Sequence, residues 1–234
     1  IGLRLRMQLT PDAPVGVPSF SLEDDEIDTV VDLICRGANE ARPHLTPGLL
    51  EVPMTVIVRK AMKRIKRQLG LTNLEVAGEV ELDEMTTADQ EIAGRIDITL
   101  KFLRQFGDEE DYVGVECKRV GAGSAYSQLN TRYVTQGVVR FTNGQYAVGH
   151  AWGFMLGYAL CLPGEDIVEV VDKRLQGTYG PSAALAVAAS HHQAIAIRDG
   201  KLKQYNGAPI NVRHILVDMV PAAPAVQDPE DSSA

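Results

Sequence analysis

The stretch YVGVECKRV, residues 112 to 120, contains two charged side chains whose types and spacing could do chemistry. Side chains alternate along a β-strand, so Glu116 and Lys118 are predicted to share one face while Cys117 lies on the other. A carboxylate and an ammonium are expensive to bury together, because desolvation largely cancels their attraction. The pair is therefore expected either to lie on a solvated face or to act on a third group.

A second carboxylate lies upstream, in GRIDITLKF, nineteen residues before Glu116. Asp97 interrupts an apolar strand pattern, with Ile96 and Ile98 predicted to point away from it. Neighbouring carboxylates repel each other unless a proton or a cation lies between them. Magnesium meets that need, because it binds one or two carboxylates and completes its octahedron with waters and phosphate oxygens. Lys118 would face the same water or phosphate, as a charge stabiliser or, with a lowered pKa, as a proton acceptor.

These residues need a sheet to position them. Residues 74 to 82, 93 to 103 and 111 to 119 are rich in Val, Ile and Leu or alternate apolar with polar residues, which predicts three successive strands. An acidic turn joins the last two. A helix is predicted over residues 124 to 141, packed along a stripe of residues four apart. That stripe consists of Leu129, Tyr133, Gly137 and Phe141.

Two helices are predicted before the strands. The first has an N-cap at Ser21, an acidic first turn from Asp24, and helical apolar spacing until Gly37. The second begins near Pro53 and ends in a C-terminal cap at Gly70. Its predicted apolar side consists of Met54, Ile57, Ala61, Ile65 and Leu69.

The last third of the sequence has weaker signals. We predict a helix over Glu165 to Gln176, a hairpin turn at Asp199 and Gly200, and a closing strand from Val212 to Val220. Residues 221 to 234 have the composition of a disordered acidic tail. His150, Trp152 and His214 lie in apolar segments and are interpreted as packing residues.

Composition bounds the class of protein. The sequence of 234 residues is 45% hydrophobic, which suits one α/β domain, and its net charge of −8 argues against a general nucleic-acid coat protein. The basic run RKAMKRIKR, residues 59 to 67, is either a solvated helix face or a phosphate-facing patch. The sequence has no apolar run of about 18 residues and no signal-peptide pattern, so we expect a cytoplasmic protein without membrane contact. Its three cysteines form no CxxC pair, which fits a reducing cytoplasm and argues against a structural zinc site.

Asp97 followed by Glu116-Cys117-Lys118 resembles the PD-(D/E)xK nuclease superfamily. The resemblance implies an α/β domain with a central mixed β-sheet flanked by helices, the restriction-endonuclease-like fold, with the aspartate and the E-x-K element on adjoining strands. It covers a nuclease core of about residues 45 to 141. Residues 142 to 220 would then be a C-terminal elaboration of a single domain spanning residues 1 to 220.

The same resemblance implies further site residues. Many members place a glutamate on the helix before the sheet, and Glu51 is the best match, with Glu40 and Glu91 as competitors. Some branches, including that of lambda exonuclease, carry a Q-x-x-x-Y motif on the helix after the lysine. Gln136 matches its glutamine, but Arg140 stands where the tyrosine would be, which argues against that branch and suits a phosphate contact instead.

The activity implied by the resemblance is metal-dependent hydrolysis of DNA, with RNA the less favoured substrate. One or two Mg²⁺ ions, for which Mn²⁺ is expected to substitute, would be held by Asp97, Glu116 and the carbonyl oxygen of Cys117. Lys118 would orient or deprotonate the nucleophile. The expected backbone contacts are Arg132, Gln136 and Arg140 with Lys60, Lys63, Arg64 and Arg67. Recognition would come from a homodimer or a partner protein, and restriction or anti-phage defence is the setting the resemblance suggests.

The sequence allows two other interpretations, a metal site at adjacent histidines and a protein without catalytic activity. Adjacent histidines point in different directions on a regular element, so His191 and His192 are interpreted as structural residues and not as metal ligands. A non-catalytic interaction module that keeps the nuclease fold, with an acidic surface for a protein partner, is the alternative to an enzyme. The intact combination of Asp97, Glu116 and Lys118 counts against it.

Overall fold

The computed structural model describes residues 20–83, 92–106 and 111–224, without the side chains of residues 79–83 and 92–94. Glu91, most of the predicted acidic turn and residues 225–234 of the predicted tail lie outside the described residues. Within this part of the chain, no helix combines the length and hydropathy needed to cross a bilayer.

A seven-stranded mixed sheet forms the centre of the molecule, in the order β1-β2-β3-β4-β7-β6-β5. Strands β3, β4 and β7 pair in parallel, and the other neighbours pair antiparallel. The predicted class, an α/β fold with a central mixed sheet flanked by helices, is confirmed. The strands are Leu74–Asp83 (β1), Ile92–Phe102 (β2), Val113–Val120 (β3), Trp152–Ala159 (β4), Ala186–Val187 (β5), Ala196–Lys203 (β6) and Pro209–Asp218 (β7).

Five α-helices flank the sheet: Asp24–Ala41 (α1), Glu51–Gln68 (α2), Ser127–Arg132 (α3), Val139–Thr142 (α4) and Gly164–Tyr179 (α5). They cover it through two buried apolar clusters. One cluster lies under α1 and α2, with Leu129 of α3 packed against it, and the other lies under the segment between α3 and α4, α4 itself and α5. Short 3₁₀ turns cover Arg42–His44, Leu103–Gln105, Ser124–Tyr126, Pro181–Ala183 and Val220–Ala222.

Helix α1 differs from its prediction at both ends. Its N-cap is Glu23, not Ser21, and the Glu23 backbone N–H donates to the Glu26 carboxylate at 3.0 Å. The helix also continues past Gly37. A Cβ at that position would lie 2.4 Å from Cγ of Met62, so this glycine permits close contact between α1 and α2 instead of ending a helix.

Helix α2 begins at Glu51, two residues before the predicted start, and Gly70 follows its end with a φ of +65°. This left-handed conformation confirms the predicted glycine cap. Leu69 was predicted to be on the apolar side but is 43% exposed, because the helix has ended by that residue. The buried face consists of Met54, Thr55, Val58, Ala61 and Met62.

The helix predicted over residues 124 to 141 is interrupted. Between α3 and α4, residues Tyr133–Val138 form a π-helical segment, in which one extra residue is accommodated in the turn. Tyr133, Gly137 and Phe141 are buried as predicted, and Leu129 packs against the core from a half-buried position. The apolar stripe was therefore predicted correctly, but the irregular backbone was not.

Two predictions for the last third are wrong. Asp199 and Gly200 do not form the hairpin turn but lie inside β6, where the Asp199 carboxylate accepts from Arg213 at 2.8 Å. The turn lies further along, where Gly207 has a φ of +84°. Ala222, predicted to be in the tail, is buried, and its carbonyl accepts from the backbone N–H of Gly48 at 3.1 Å.

Three predicted packing residues do pack. His150 and His214 are buried, and the Tyr133 hydroxyl forms a hydrogen bond with Nδ1 of His214 at 2.9 Å. Trp152 is half-buried against the core under α1 and α2, with the guanidinium of Arg213 5.0 Å from its ring centroid.

Candidate active site

The pairing of β2 with β3 ends next to Asp97. The β2–β3 ladder runs from Leu100 opposite Val113 to Ile98 opposite Val115. Next to this last pair, an Asp97 carboxylate oxygen accepts from the backbone N–H of Cys117 at 2.7 Å. The Asp97 side chain thus accepts from a backbone N–H of β3 that would otherwise donate to a neighbouring strand. Burial raises the pKa of Asp97, against the lowering effect of the Lys118 charge.

The residues that flank Asp97 on β2 pack into different parts of the core. Ile96 and Ile98 were predicted to share one face, but they belong to the two different apolar clusters. The pairing of β1 with β2 keeps the same register on both sides of Asp97, with Gly78 opposite Ile98 and Val80 opposite Ile96.

Glu116 is completely buried on β3. Its Oε1 accepts from Nζ of Lys118 at 2.6 Å and lies 3.4 Å from Nε of Arg140. Its Oε2 is buried and has no hydrogen-bond partner among the described groups. Burial, and then the charge of Asp97, raise the pKa of Glu116 to about 7. One carboxylate oxygen is therefore desolvated without compensation.

Lys118 is held from three sides. Its Nζ donates to Glu116 at 2.6 Å, to Oε1 of Glu51 at 3.1 Å and to the carbonyl oxygen of Cys117 at 2.9 Å. Burial lowers the pKa of Lys118, but the three nearby carboxylates outweigh burial and raise it. Its three acceptors and its raised pKa are those of a protonated ammonium group.

Glu51 enters the site from the first residue of α2. Besides Lys118, its carboxylate accepts from the backbone N–H of Arg119 at 3.1 Å. Its competitor Glu40 instead pairs with Arg64 at the contact between α1 and α2. Of Glu51 and Glu40, the two candidates that the structure describes, Glu51 is the one that contacts Lys118.

Arg140 closes the other side of the site. Its Nε donates to the carbonyl of Gln136 at 2.9 Å, and its Nη1 donates to the carbonyl of Arg95 at 3.0 Å. The guanidinium lies over the ring of Tyr146, 5.2 Å from the centroid, and donates to its hydroxyl. Arg140 thus offsets the charge of Glu116 while several of its donors are occupied by protein groups.

Tyr146 was not found by sequence reasoning. The Q-x-x-x-Y pattern predicts a tyrosine at position 140, where this chain has arginine, and the Tyr146 hydroxyl accepts from that arginine from beyond α4. Burial, and then the charge of Glu116, raise its pKa, so the phenol stays protonated and donates to the carbonyl of Arg95. A signal based on spacing within one helix could not have found it.

A groove leads to these residues between the N-terminus of α2 and the segment from α3 to α4. Residues at its walls include Pro53, Lys118, Arg119, Arg132, Gln136 and Arg140. Arg132 and Gln136 are exposed there, as a surface contact requires. Arg119 was also missed by sequence reasoning, and its Nε is buried without a partner among the described groups.

The other predicted basic contacts lie elsewhere. Lys60, Lys63, Arg64 and Arg67 do not line this groove within the described ranges. With a rise of 1.5 Å per residue, they lie about 13 to 24 Å along α2 from Glu51. The structure therefore brings the predicted acidic, lysine and glutamine residues together, but not the basic run.

The donor set fits a hard divalent cation. Asp97 and Glu116 supply carboxylate oxygens, and the backbone carbonyl of Cys117 lies beside them on β3. Magnesium prefers such oxygen ligands. The unpartnered Oε2 of Glu116 and the raised pKa values of both carboxyl groups are the features expected where a cation is to be bound.

His191 and His192, which were not predicted to be metal ligands, lie close together and close to Asp28. They lie in an irregular segment between β5 and β6, so the argument from a regular element does not apply. Their ring centroids are 4.4 Å apart, and His191, His192 and Asp28 each bring one potential ligand atom within 4.8 Å of the others.

Comparisons with protein-family models, with curated proteins and with solved structures gave no match for this chain. The resemblance to PD-(D/E)xK nucleases therefore stays a prediction that rests on the motif residues. The functional argument depends on the geometry of the site itself.

Proposed function

We propose that this chain is a magnesium-dependent nuclease of the PD-(D/E)xK type that hydrolyses phosphodiester bonds of DNA. One observation carries the proposal: Glu116 is completely buried, lies close enough to Asp97 for that charge to raise its pKa, and has one carboxylate oxygen without a partner among the described groups. An ionised carboxylate is seldom buried without compensation, because its desolvation is strongly unfavourable. A divalent cation between the two carboxylates would supply that compensation.

The residues have separate roles in this proposal. Asp97, Glu116 and the Cys117 carbonyl would hold the metal ion. A bound Mg²⁺ or Mn²⁺ supplies a coordinated water of lowered pKa and stabilises charge on the phosphate. Lys118, fixed as a cation, would bind the negatively charged phosphate or orient the attacking water, and Glu51 would position Lys118.

The groove supplies the proposed contacts to the nucleic-acid backbone. Arg132 and Gln136 are exposed on its wall, and Arg119 has an unpartnered Nε there. Lys60 to Arg67 would extend the positive surface along α2. Since the net charge of the chain is −8, binding would be local, dependent on salt, and aided by a homodimer or partner protein. Restriction or anti-phage defence is proposed only from the family resemblance.

A non-catalytic interaction module is the second candidate. The observation in its favour is that the three N–H donors of Lys118 are all used by Glu51, Glu116 and the Cys117 carbonyl. A site closed by its own residues is what a retained but inactive fold would show. The two candidates differ in whether a phosphate or metal ion displaces these contacts.

Plasmid cleavage separates the candidates. With supercoiled DNA and Mg²⁺, we expect Lys118→Ala to lower the cleavage rate by about 10²- to 10⁴-fold, the usual size for a group that assists proton transfer or charge stabilisation. Lys201→Ala is the matched control, because Lys201 is an exposed lysine on β6. Chelation of the metal should abolish cleavage by the parent chain. Equal cleavage by parent and Lys118→Ala, or none by the parent with Mg²⁺ or Mn²⁺, would favour the interaction module.

A further inference from the structure

A second cluster of titratable side chains lies at the far end of α2. The groove that contains it is lined by Leu69 and Leu71, just beyond the helix, and by residues of α1. Glu51 is at the opposite end, about 27 Å away along the axis at 1.5 Å per residue. The cluster is therefore separate from the proposed magnesium site.

The cluster joins α1 to the segment between β5 and β6. His192 Nε2 lies 2.7 Å from an Asp28 carboxylate oxygen, and its Nδ1 lies 3.2 Å from a carboxylate oxygen of Asp32. Asp28 and Asp32 are one helical turn apart, so both face the segment from α1. The His192 side chain is only 9% exposed, and its two carboxylate contacts fix the orientation of its ring.

Ion pairing accounts for His192 but not for its neighbour. The His191 ring lies 4.4 Å from the His192 ring at an interplanar angle of 35°. Two imidazoles and a carboxylate are a common ligand set for zinc.

We propose that Asp28, His191 and His192 bind a divalent transition-metal ion such as Zn²⁺, with Asp32 as a positioning residue. Each of the three offers one ligand atom, and these atoms lie within 4.8 Å of one another. Ligands of one tetrahedral zinc ion lie about 3.3 Å apart, at metal distances of about 2.0 to 2.1 Å. Asp28 must therefore move away from its 2.7 Å contact with Nε2 of His192, while the wider separations shorten. These changes are available, because Asp28 and His191 are exposed and can change rotamer.

Asp32 lies beside Nδ1 of His192, where a carboxylate can accept from the second ring nitrogen of a metal-bound histidine. If Nδ1–H of His192 donates to Asp32, the lone pair of Nε2 is directed toward Asp28 and the ion. Metal binding then replaces any proton shared between Nε2 and Asp28 and releases it to solvent. The fourth coordination position is left for water. The ion would fasten the segment before β6 to α1.

Zinc binding by the full chain tests this site. The metal-stripped protein should carry Asp97→Asn and Glu116→Gln, so that the proposed magnesium site does not contribute. Competition with a chromophoric chelator is expected to give one zinc ion per chain, and Co²⁺ should give the visible absorption bands of a tetrahedral nitrogen and oxygen site. Adding His191→Ala and His192→Ala should weaken zinc binding by about 100-fold or more.

Two further variants distinguish the loss of a zinc ligand from misfolding. His44→Ala, in the exposed 3₁₀ turn after α1, is the matched control and should bind zinc like the parent. Asp28→Asn changes one exposed carboxylate and should also weaken binding while the circular dichroism spectrum stays unchanged. Zinc at about a hundred times its Kd should raise the Tm of the parent by about 5 °C or more, and that of the double-histidine variant much less.

The proposal is overturned if the folded double-histidine variant binds zinc as tightly as the parent, or if the parent binds none. Neither readout uses nuclease activity. Failure of the zinc site would therefore leave the proposed nuclease function untouched, and failure of the nuclease proposal would leave the zinc site untouched.

Discussion

Near the two ends of α2, carboxylates of other elements lie in opposite surroundings: Glu116 of β3 at one end and Asp28 of α1 at the other. At the N-terminal end, Glu116 is completely buried and one of its oxygens has no partner among the described groups. At the C-terminal end, the side chain of Asp28 is 54% exposed and is paired with His192. The first end is electrostatically unfavourable without a ligand, whereas the second is satisfied without one.

This difference separates two ways in which a chain can prepare a metal site. Desolvated carboxylates that repel each other store unfavourable free energy, which a cation relieves on binding. Exposed side chains with their own partners contribute little to stability, so a metal there adds stability instead of relieving strain. The nature of the donors differs as well, since the N-terminal end offers only oxygen and the C-terminal end offers imidazole nitrogen.

The largest expected effect comes from removing the buried charge. Glu116→Gln should lower nuclease activity by about 10²- to 10³-fold, as expected for loss of a group that stabilises the reacting charges. A carboxyl group whose pKa is raised from 4.5 to about 7 on folding destabilises the folded state progressively as the pH rises between these values. Above that range, the metal-free variant should therefore unfold with a free energy about 3 kcal/mol greater than the parent.

Chemical denaturation in chelator across this pH range measures the effect. Glu75→Gln, at an exposed position of β1, is the matched control and should leave stability unchanged. A metal-free Glu116→Gln protein that is less stable than the parent would mean that the ion pair with Lys118 outweighs burial. The contrast between the two ends of α2 would then disappear.

A second prediction concerns the contact that supports both ends. Gly37→Ala places a Cβ 2.4 Å from Cγ of the buried Met62, so α1 and α2 must separate or repack. We expect a loss of about 1 to 2 kcal/mol, since overpacking outweighs the gain in helix propensity. Gly177→Ala in α5 has nothing within 4 Å and should instead add about 0.5 to 1 kcal/mol.

Thermal or urea unfolding measures the change in the free energy of unfolding for both glycine variants. A stabilising Gly37→Ala would show that the helix pair is loosely packed. The two sites would then be free to move relative to each other.

The smallest effect is expected at the exposed end. Without metal, Asp28→Asn should lower the free energy of unfolding by less than about 1 kcal/mol, because an ion pair with one exposed partner contributes little. Urea titration of the metal-free variant beside the parent measures it. A loss as large as that expected for a buried pair would remove the distinction between the two ends.

Local patterns predicted much of what positions the candidate site. Period-two spacing predicted the three strands around Asp97 and Glu116, and helical spacing predicted the buried stripe through Gly137. The residue type alone predicted the cap at Gly70. Glu51 was selected from the family resemblance, and the structure brings it to Lys118. Its catalytic role stays a prediction.

What could not be predicted depends on contacts between distant segments. Tyr146 reaches Arg140 from outside the motif helix, and His192 meets Asp28 across 164 residues. Asp199 and Gly200 have the composition of a turn, but the pairing of Asp199 with Arg213 keeps them in a strand. In each case the partner, not the local sequence, decides the conformation.

The π-helical segment Tyr133–Val138 holds one residue more than a regular α-helical turn. A Cβ at Gly137 would lie 3.2 Å from Cγ of Lys118, so the lysine stem rests against this turn. Because the extra residue is taken up within the turn, deleting one residue here would restore regular α-helix and leave later side chains near their present directions. Arg140 would still face Glu116, while the turn beside Lys118 would be narrower. A homologue one residue shorter at this point should therefore keep the cation that faces the buried carboxylate and differ in the packing around the lysine stem.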